Sequence, residues 1–172
     1  MAQSEPGAVV VRQPDEGESY WQPVPANGYS EVRVSKRDSA RIHGFSSGVQ
    51  VIAPGCHVRE HQHGAEQELL FFFEGTGKAV VNGEEHPIQP GTTVYVGPWN
   101  KHTFINDGDV DLKMMWVLMP GGLEDFFQAI GRPRTAGDPA PEPFARPDNV
   151  EEIERQTVFA SLQDGPETDR PT

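Results

Sequence analysis

Short apolar stretches alternate with turn-forming residues over the first two thirds of the chain. The stretches are rich in β-branched and aromatic residues, and Gly, Pro, Asn or Asp bounds most of them, which is typical of strands in all-β domains. The pattern predicts eight strands: Ala8–Arg12, Glu31–Ser35, Gln50–Ala53, Val58–His63, Leu69–Phe73, Lys78–Val81, Thr93–Val96 and Leu112–Leu118. Asn82-Gly83, after the sixth of these, predicts a type I′ hairpin. Many short strands joined by frequent turns indicate a sandwich or a barrel.

The last third of the chain has a different pattern. Leu123, Phe126, Phe127 and Ile130 are spaced as on one face of a helix, and the segment 122–131 has acidic residues in its first turn and ends on glycine. Proline and charge predict an extended linker over 132–148, and Asn149 is a candidate cap for a second short helix whose inward residues include Val150, Ile153 and Val158. The termini, 1–7 and 163–172, are expected to be disordered.

Length and charge limit the classes of protein. The 172 residues suffice for about one domain, which we divide into an N-terminal arm (1–30), a β-barrel (31–121) and a C-terminal helix with a Pro-rich tail (122–172). The net charge of −12 argues against nucleic acid and anionic membranes as partners. There is no apolar run of membrane-spanning length, no apolar leader segment, and one cysteine, Cys56. A cytoplasmic protein is the expectation.

Three histidines and one glutamate form the candidate chemical centre. His61 and His63 point to the same side if they lie in a strand, because side chains alternate faces. Glu68 follows a short turn at 64–67, and a hairpin there returns its carboxylate toward the same face. His102 follows a turn after another strand. Three imidazoles and one carboxylate suit Fe, Mn, Ni, Cu or Zn better than Ca or Mg.

The spacing of these residues resembles the two motifs of the cupin family. The first block is Gly55, five residues, His61, one residue, His63, four residues, Glu68, six residues, Gly75, and every spacing matches. The second block is Gly91, five residues, Gly97, then His102, three residues and Asn106. It departs from the family at two positions, where Gly97 and Trp99 replace the usual proline and glycine.

The resemblance implies both a fold and a ligand set. The implied fold is an all-β, double-sheet barrel of jelly-roll type, with the C-terminal helix outside the sheets. The implied ligands of one divalent transition metal ion are His61, His63, Glu68 and His102, with iron as the first choice and Mn, Ni, Cu or Zn as alternatives. The start of the helix at 122–131 also resembles that of quercetin-dioxygenase-like bacterial cupins.

Further residues are candidates for substrate binding. His57 and Arg59 share the face of His61 if the strand is regular, and Arg59 is then placed to clamp an anionic or carbonyl-bearing substrate; the alternative is that the strand has already left the barrel. Phe72 shares the face of Glu68 and is expected to line the pocket, and Trp99 is a candidate for its wall. The apolar stripes predict a cavity suited to an aromatic small molecule.

Three functions remain open at this point. The first is a metal-dependent oxygenase of dioxygenase type that acts on a small aromatic or dicarbonyl substrate. The second is a non-redox cyclase or isomerase that uses the metal as a Lewis acid. The third is a binding protein without turnover, which an intact ligand set disfavours. Glu68 is either a metal ligand or a catalytic base.

A homodimer is the expected assembly. Leu69, Phe71 and Phe73 face away from Glu68 and form a stripe too apolar for solvent. The run Val9–Val11 has no obvious strand beside it in the chain, and exchanging it with a neighbour's sheet edge covers both.

Overall fold

The computed structural model describes residues 6–165. Ten strands and two helices follow one another in this part of the chain. The strands are β1 Glu18–Trp21, β2 Tyr29–Val34, β3 Ser46–Ile52, β4 Gln67–Glu74, β5 Gly77–Val81, β6 Glu84–Ile88, β7 Thr93–Val96, β8 His102–Ile105, β9 Leu112–Met119 and β10 Arg132–Pro133. The helices are α1 Leu123–Ile130 and α2 Val150–Gln156.

Two antiparallel sheets form the double-sheet barrel that the sequence predicts. One sheet has seven strands in the order β10-β1-β2-β3-β9-β4-β7, and the other has three in the order β6-β5-β8. Side chains from both sheets meet in one core, in which Phe72 of β4, Phe104 of β8 and Trp116 of β9 are at most 1% exposed. The fold is therefore all-β with helices added at the C-terminal end.

Strand β4 shows how alternation positions the chemistry. Glu68, Leu70 and Phe72 point inward and are buried, whereas Phe71 and Phe73 point outward and are each 41% exposed. Because β4 lies between β9 and β7 in the large sheet, its backbone is held on both sides. The Glu68 carboxylate is thus carried into the barrel by a strand that is paired on both sides.

Most predicted strands are present, and two are not. Residues 8–12 pair with no strand in the described part of the chain. The segment lies instead against the outer face of the large sheet, where Val10 and Arg12 line one surface with Phe71 and Phe73. Residues 58–63 make only isolated bridges, among them His61 with His102. The Asn82-Gly83 hairpin is confirmed between β5 and β6, with positive φ at both residues.

Four strands were not predicted: β1, β6, β8 and β10. Strand β6, with the sequence EEHPI, is exposed except at its last residue, so its composition gives no apolar alternation. Strand β1 lies within 1–30, which the sequence assigned to the arm, and it pairs with β2 and β10. The sheet therefore begins earlier in the chain than expected.

The C-terminal elements cover one end of the barrel. All four apolar residues predicted for the inner face of α1 are buried: Leu123, Phe126, Phe127 and Ile130. Val150 and Ile153 of α2 pack against the core, and Val158 beyond it is buried. Of the termini expected to be disordered, 1–5 and 166–172 lie outside the described residues. Within the described range, neither helix has the length and apolar character needed to cross a lipid bilayer.

Candidate metal centre

Four side chains converge inside the barrel. His61 and His63 precede β4, Glu68 is the second residue of β4, and His102 begins β8. Backbone hydrogen bonds between His61 and His102, at 3.0 and 2.8 Å, join the two segments. One donor atom from each of the four side chains lies within 4.8 Å of the others, and all four residues are buried. The structure therefore brings together the complete ligand set that the sequence suggested.

Each imidazole is oriented by a backbone carbonyl. The Nδ1 atoms of His61, His63 and His102 lie 2.8, 2.7 and 2.8 Å from the carbonyl oxygens of Arg59, Val158 and Asn100. A carbonyl only accepts, so each Nδ1 carries the proton and donates it. In a neutral imidazole this leaves the Nε2 lone pair free, and metal-binding histidines are commonly fixed in this way.

The electrostatics of the cluster favour neutral imidazole at His61 and an ionised Glu68. Burial, together with the neighbouring His102 and His63, lowers the pKa of His61 well below its usual value. Burial alone raises the pKa of Glu68, but the hydrogen bond with His102 and the charges of His102 and His63 outweigh it, so the pKa is lowered. Metal ligands must be deprotonated, and these shifts hold both groups in that form.

The donor set fits a first-row transition ion. The Nε2 of His63 is buried and has no hydrogen-bond partner. A buried, unpaired ring nitrogen destabilises the fold unless another group, such as a metal ion, binds it. Glu68 Oε2 lies 3.2 Å from His102 Nε2 and 3.9 Å from His63 Nε2. Donors about 2.1 Å from one ion are about 3.0–3.4 Å apart when adjacent and about 4.2 Å apart when opposite, so the cluster, whose donors lie within 4.8 Å of one another, has to contract around an ion.

A cavity opens beside His61 and Glu68. It has a volume of about 60 Å³, and its wall is largely apolar. The apolar side chains include Val58, Phe104, Leu123, Phe126, Phe127 and Phe159. Arg59, Arg146 and Gln50 provide polar groups at the same wall. Such a cavity suits a small, mostly apolar molecule with one polar or anionic edge.

Of the predicted substrate-binding residues, the structure brings one to the cavity. Arg59 lines it, although its guanidinium is ion-paired with Glu154 of α2. His57 is exposed and is not part of the wall, because the chain at 57 has not yet entered the barrel. Phe72 is fully buried against Phe104 in the core rather than in the wall. Trp99 is 38% exposed and covers Gly64 from outside.

Sequence reasoning missed the contribution of the C-terminal segment. Val158 was expected to pack inward from a second short helix, but neither it nor Phe159 nor Arg146 was expected at the centre or the cavity, where all three lie. The apolar pair Val158-Phe159 within a charged stretch was the available indication. No local pattern shows which surface such a pair covers.

Comparison with known proteins finds similarity to one family over part of the chain. Residues 48–118 match the family model described as "Cupin domain". The chain is 32% identical over 87 residues to 5-nitrosalicylic acid 1,2-dioxygenase of Bradyrhizobium sp., covering 51% of this chain and 41% of that protein. It is 30% identical over 79 residues to quercetin 2,3-dioxygenase of Bacillus subtilis (strain 168), covering 46% and 23% respectively. The chain spans about half the length, or less, of the first curated relatives it matches.

A solved structure confirms the fold. The polyketide cyclase RemF from Streptomyces resistomycificus superposes with a TM-score of 0.56 at 14% sequence identity, covering 65% of this chain and 80% of that one. At this identity the likeness concerns the fold alone.

Proposed function

Residues 48–118 are a cupin domain, and from that premise we propose that the protein is a metal-dependent oxygenase of dioxygenase type that acts on a small aromatic or dicarbonyl compound. The observation that carries the proposal is the buried set of His61, His63, Glu68 and His102, with two of its members facing an apolar cavity. The similarity to two dioxygenases supports the choice of reaction class.

In this proposal, four side chains hold the ion and the cavity holds the substrate. Iron is the proposed metal; bound by these four side chains, it would supply the redox chemistry that oxygenation needs. Phe104, Phe126 and Phe127 enclose the apolar part of the substrate and exclude water. Arg59 and Arg146 share one carboxylate, that of Glu154, and so leave a net positive charge at the wall for an anionic edge.

Metal analysis and oxygen uptake test the proposal. The protein is purified without added metal, its metals are quantified, and dioxygen consumption is measured against a panel of phenols and dicarbonyls. We expect about one transition ion per chain and consumption with at least one member, abolished when Zn replaces the native ion, because Zn has no accessible redox change. Turnover that persists with Zn and without dioxygen contradicts oxygenation.

The same experiment addresses a second candidate, a non-redox cyclase or isomerase. The position of Glu68 favours it, since its carboxylate lies at the wall of the apolar cavity and is placed to accept a proton from a molecule bound there. The fold likeness to a polyketide cyclase is compatible with it. Product formation without dioxygen, with Zn in the site, supports this candidate over the first.

We also propose that the protein is a homodimer. Phe71, Phe73 and Met115 form a half-exposed apolar stripe on the large sheet. Beside it, Val9 and Val11 are 87% and 79% exposed. A second copy covers both features.

Light scattering tests the assembly. We expect twice the 19.0 kDa chain mass at micromolar concentration. Phe71→Glu is expected to give the single mass, because a charge in the interface is not solvated. Phe45→Glu is the control, since Phe45 is similarly exposed (38%) away from the stripe. A wild-type mass of 19.0 kDa contradicts the dimer.

A further inference from the structure

One metal-binding histidine is oriented from outside the barrel. His61 and His102 donate from Nδ1 to carbonyls two residues before them, so their own segments fix those rings. His63 instead donates to the carbonyl oxygen of Val158, at 2.7 Å and 95 positions further along the chain. The direction of its Nε2, which has no hydrogen-bond partner, therefore depends on where the C-terminal segment lies. We call residues 157–164 the strap.

The strap is held by the residue between the two histidines. The Ala160 N–H donates to the Gln62 carbonyl oxygen at 3.0 Å. The Gln62 side-chain amide donates to the carbonyl oxygens of Ser161 and Asp164. Gln62 is 1% exposed, so these bonds are shielded from water. A segment that precedes β4 thus carries two metal-ligand candidates on one face and the strap on the other.

The strap also covers the centre with an aromatic ring. The Phe159 ring lies 5.2 Å from the rings of both His61 and His63, and 4.4 Å from that of Phe126. Phe159 is part of the cavity wall.

We propose that the strap is a positioning element of the metal centre and that its docking is coupled to metal binding. When the strap leaves, the His63 Nδ1–H loses its acceptor, and the ring is free to rotate its Nε2 away from the other donors. Loss of such a hydrogen-bond partner typically weakens metal binding by about 10–100-fold. Because coupling is reciprocal, metal binding holds the strap in place by the same factor. The inference rests on the metal-binding part of the proposed function.

Hydrogen exchange of the full chain gives the first test. Exchange of the strap amides, above all the Ala160 N–H, is followed by mass spectrometry without metal and with saturating Co²⁺. We expect these amides to exchange about 10–100-fold more slowly with Co²⁺, beyond any change at β6, which contains no candidate metal ligand. Strap exchange that is identical with and without bound Co²⁺ overturns the inference.

A strap variant gives the second test. The double variant Gln62→Ala/Ala160→Pro removes the three hydrogen bonds that hold the strap to Gln62. We expect its dissociation constant for Co²⁺, measured by chelator competition, to rise about 10–100-fold, with altered Co²⁺ absorption bands. Gln163→Ala, at an exposed strap residue, is the control and is expected to match wild type. Fast strap exchange in the double variant with an unchanged dissociation constant overturns the inference.

The two proposals fail in different ways. Absence of any Co²⁺ or Zn²⁺ binding to the wild-type chain contradicts the metal centre and with it both proposals. Tight metal binding that is indifferent to the strap contradicts only the positioning role. The wild-type exchange measurement decides this without the variant, so a double variant that fails to fold leaves the test intact.

Discussion

Replacing Glu68 with glutamine tests whether its carboxylate is a metal donor. Glutamine keeps the shape of the side chain and removes the charge. Glu68 is the one carboxylate of the four-residue donor set, and an imidazole donor brings no negative charge to the ion. The glutamate is 5% exposed, so water cannot replace its charge readily. The ion in the variant therefore meets a buried site without a negative group.

The size of the effect follows from linkage between binding and folding. Loss of a group that only hydrogen-bonds to a metal ligand weakens metal binding by about 10–100-fold. We therefore expect loss of a charged ligand itself to weaken binding by at least about 100-fold. At a free metal concentration of about 1,000 times the wild-type dissociation constant, metal stabilises wild type by about 4.1 kcal/mol. A variant with about 100-fold weaker binding gains about 1.4 kcal/mol at the same concentration. At about 2–4 °C per kcal/mol, the metal-induced rise in Tm is about 8–16 °C for wild type and about 3–6 °C for the variant.

Differential scanning fluorimetry with and without Zn²⁺ measures this difference. Each protein is compared with its own metal-free form, so a change in intrinsic stability does not enter. Glu66→Gln is the matched control, because Glu66 lies in the turn before β4, outside the donor set. We expect Glu66→Gln to show the full wild-type rise. If Glu68→Gln shows it as well, Glu68 is not a donor, and a role as base remains for it.

Three further predictions concern the scaffold. Asn106→Ala is expected to lower the free energy of unfolding in urea by about 3 kcal/mol, because the fully buried amide donates to two backbone carbonyls that lose their partner. Gly48→Ala is expected to cost at least about 2 kcal/mol by the same assay, since a Cβ there lies 2.3 Å from a backbone oxygen and 2.5 Å from a buried indole. Partial burial raises the pKa of Asp125, but hydrogen bonds from Lys36 and Arg37 outweigh it and lower the pKa. Asp125→Asn is thus expected to cost about 0.5–1 kcal/mol at pH 7. The two unfolding free energies are expected to approach each other as the pH falls from about 3.9 through the lower pKa of the folded state, below which wild-type Asp125 is protonated in both states.

Local patterns were sufficient for much of the fold and for the donor set. Strand β7 was predicted at its observed bounds, and helix α1 within one residue at each end, because apolar periodicity within a segment reports which face is buried. His61, His63, Glu68 and His102 were found from spacing, since two motifs of fixed length carry them and a barrel brings such motifs together. Polar strands such as β6 were not predicted, because β6 has no apolar alternation of its own and is a strand only through its pairing with a neighbour.

The sequence by itself determined the class of fold and the four candidate donors, because each of these depends on short-range spacing. Only the tertiary structure decided how the donors are aimed and what covers them. The carbonyl of Val158 reaches His63 across 95 positions, and Glu154 of α2 pairs with the guanidinium of Arg59, which the sequence offered as one candidate for binding substrate. Contacts of this kind depend on where the C-terminal segment packs against the barrel, and the apolar periodicity of a single segment does not predict that position.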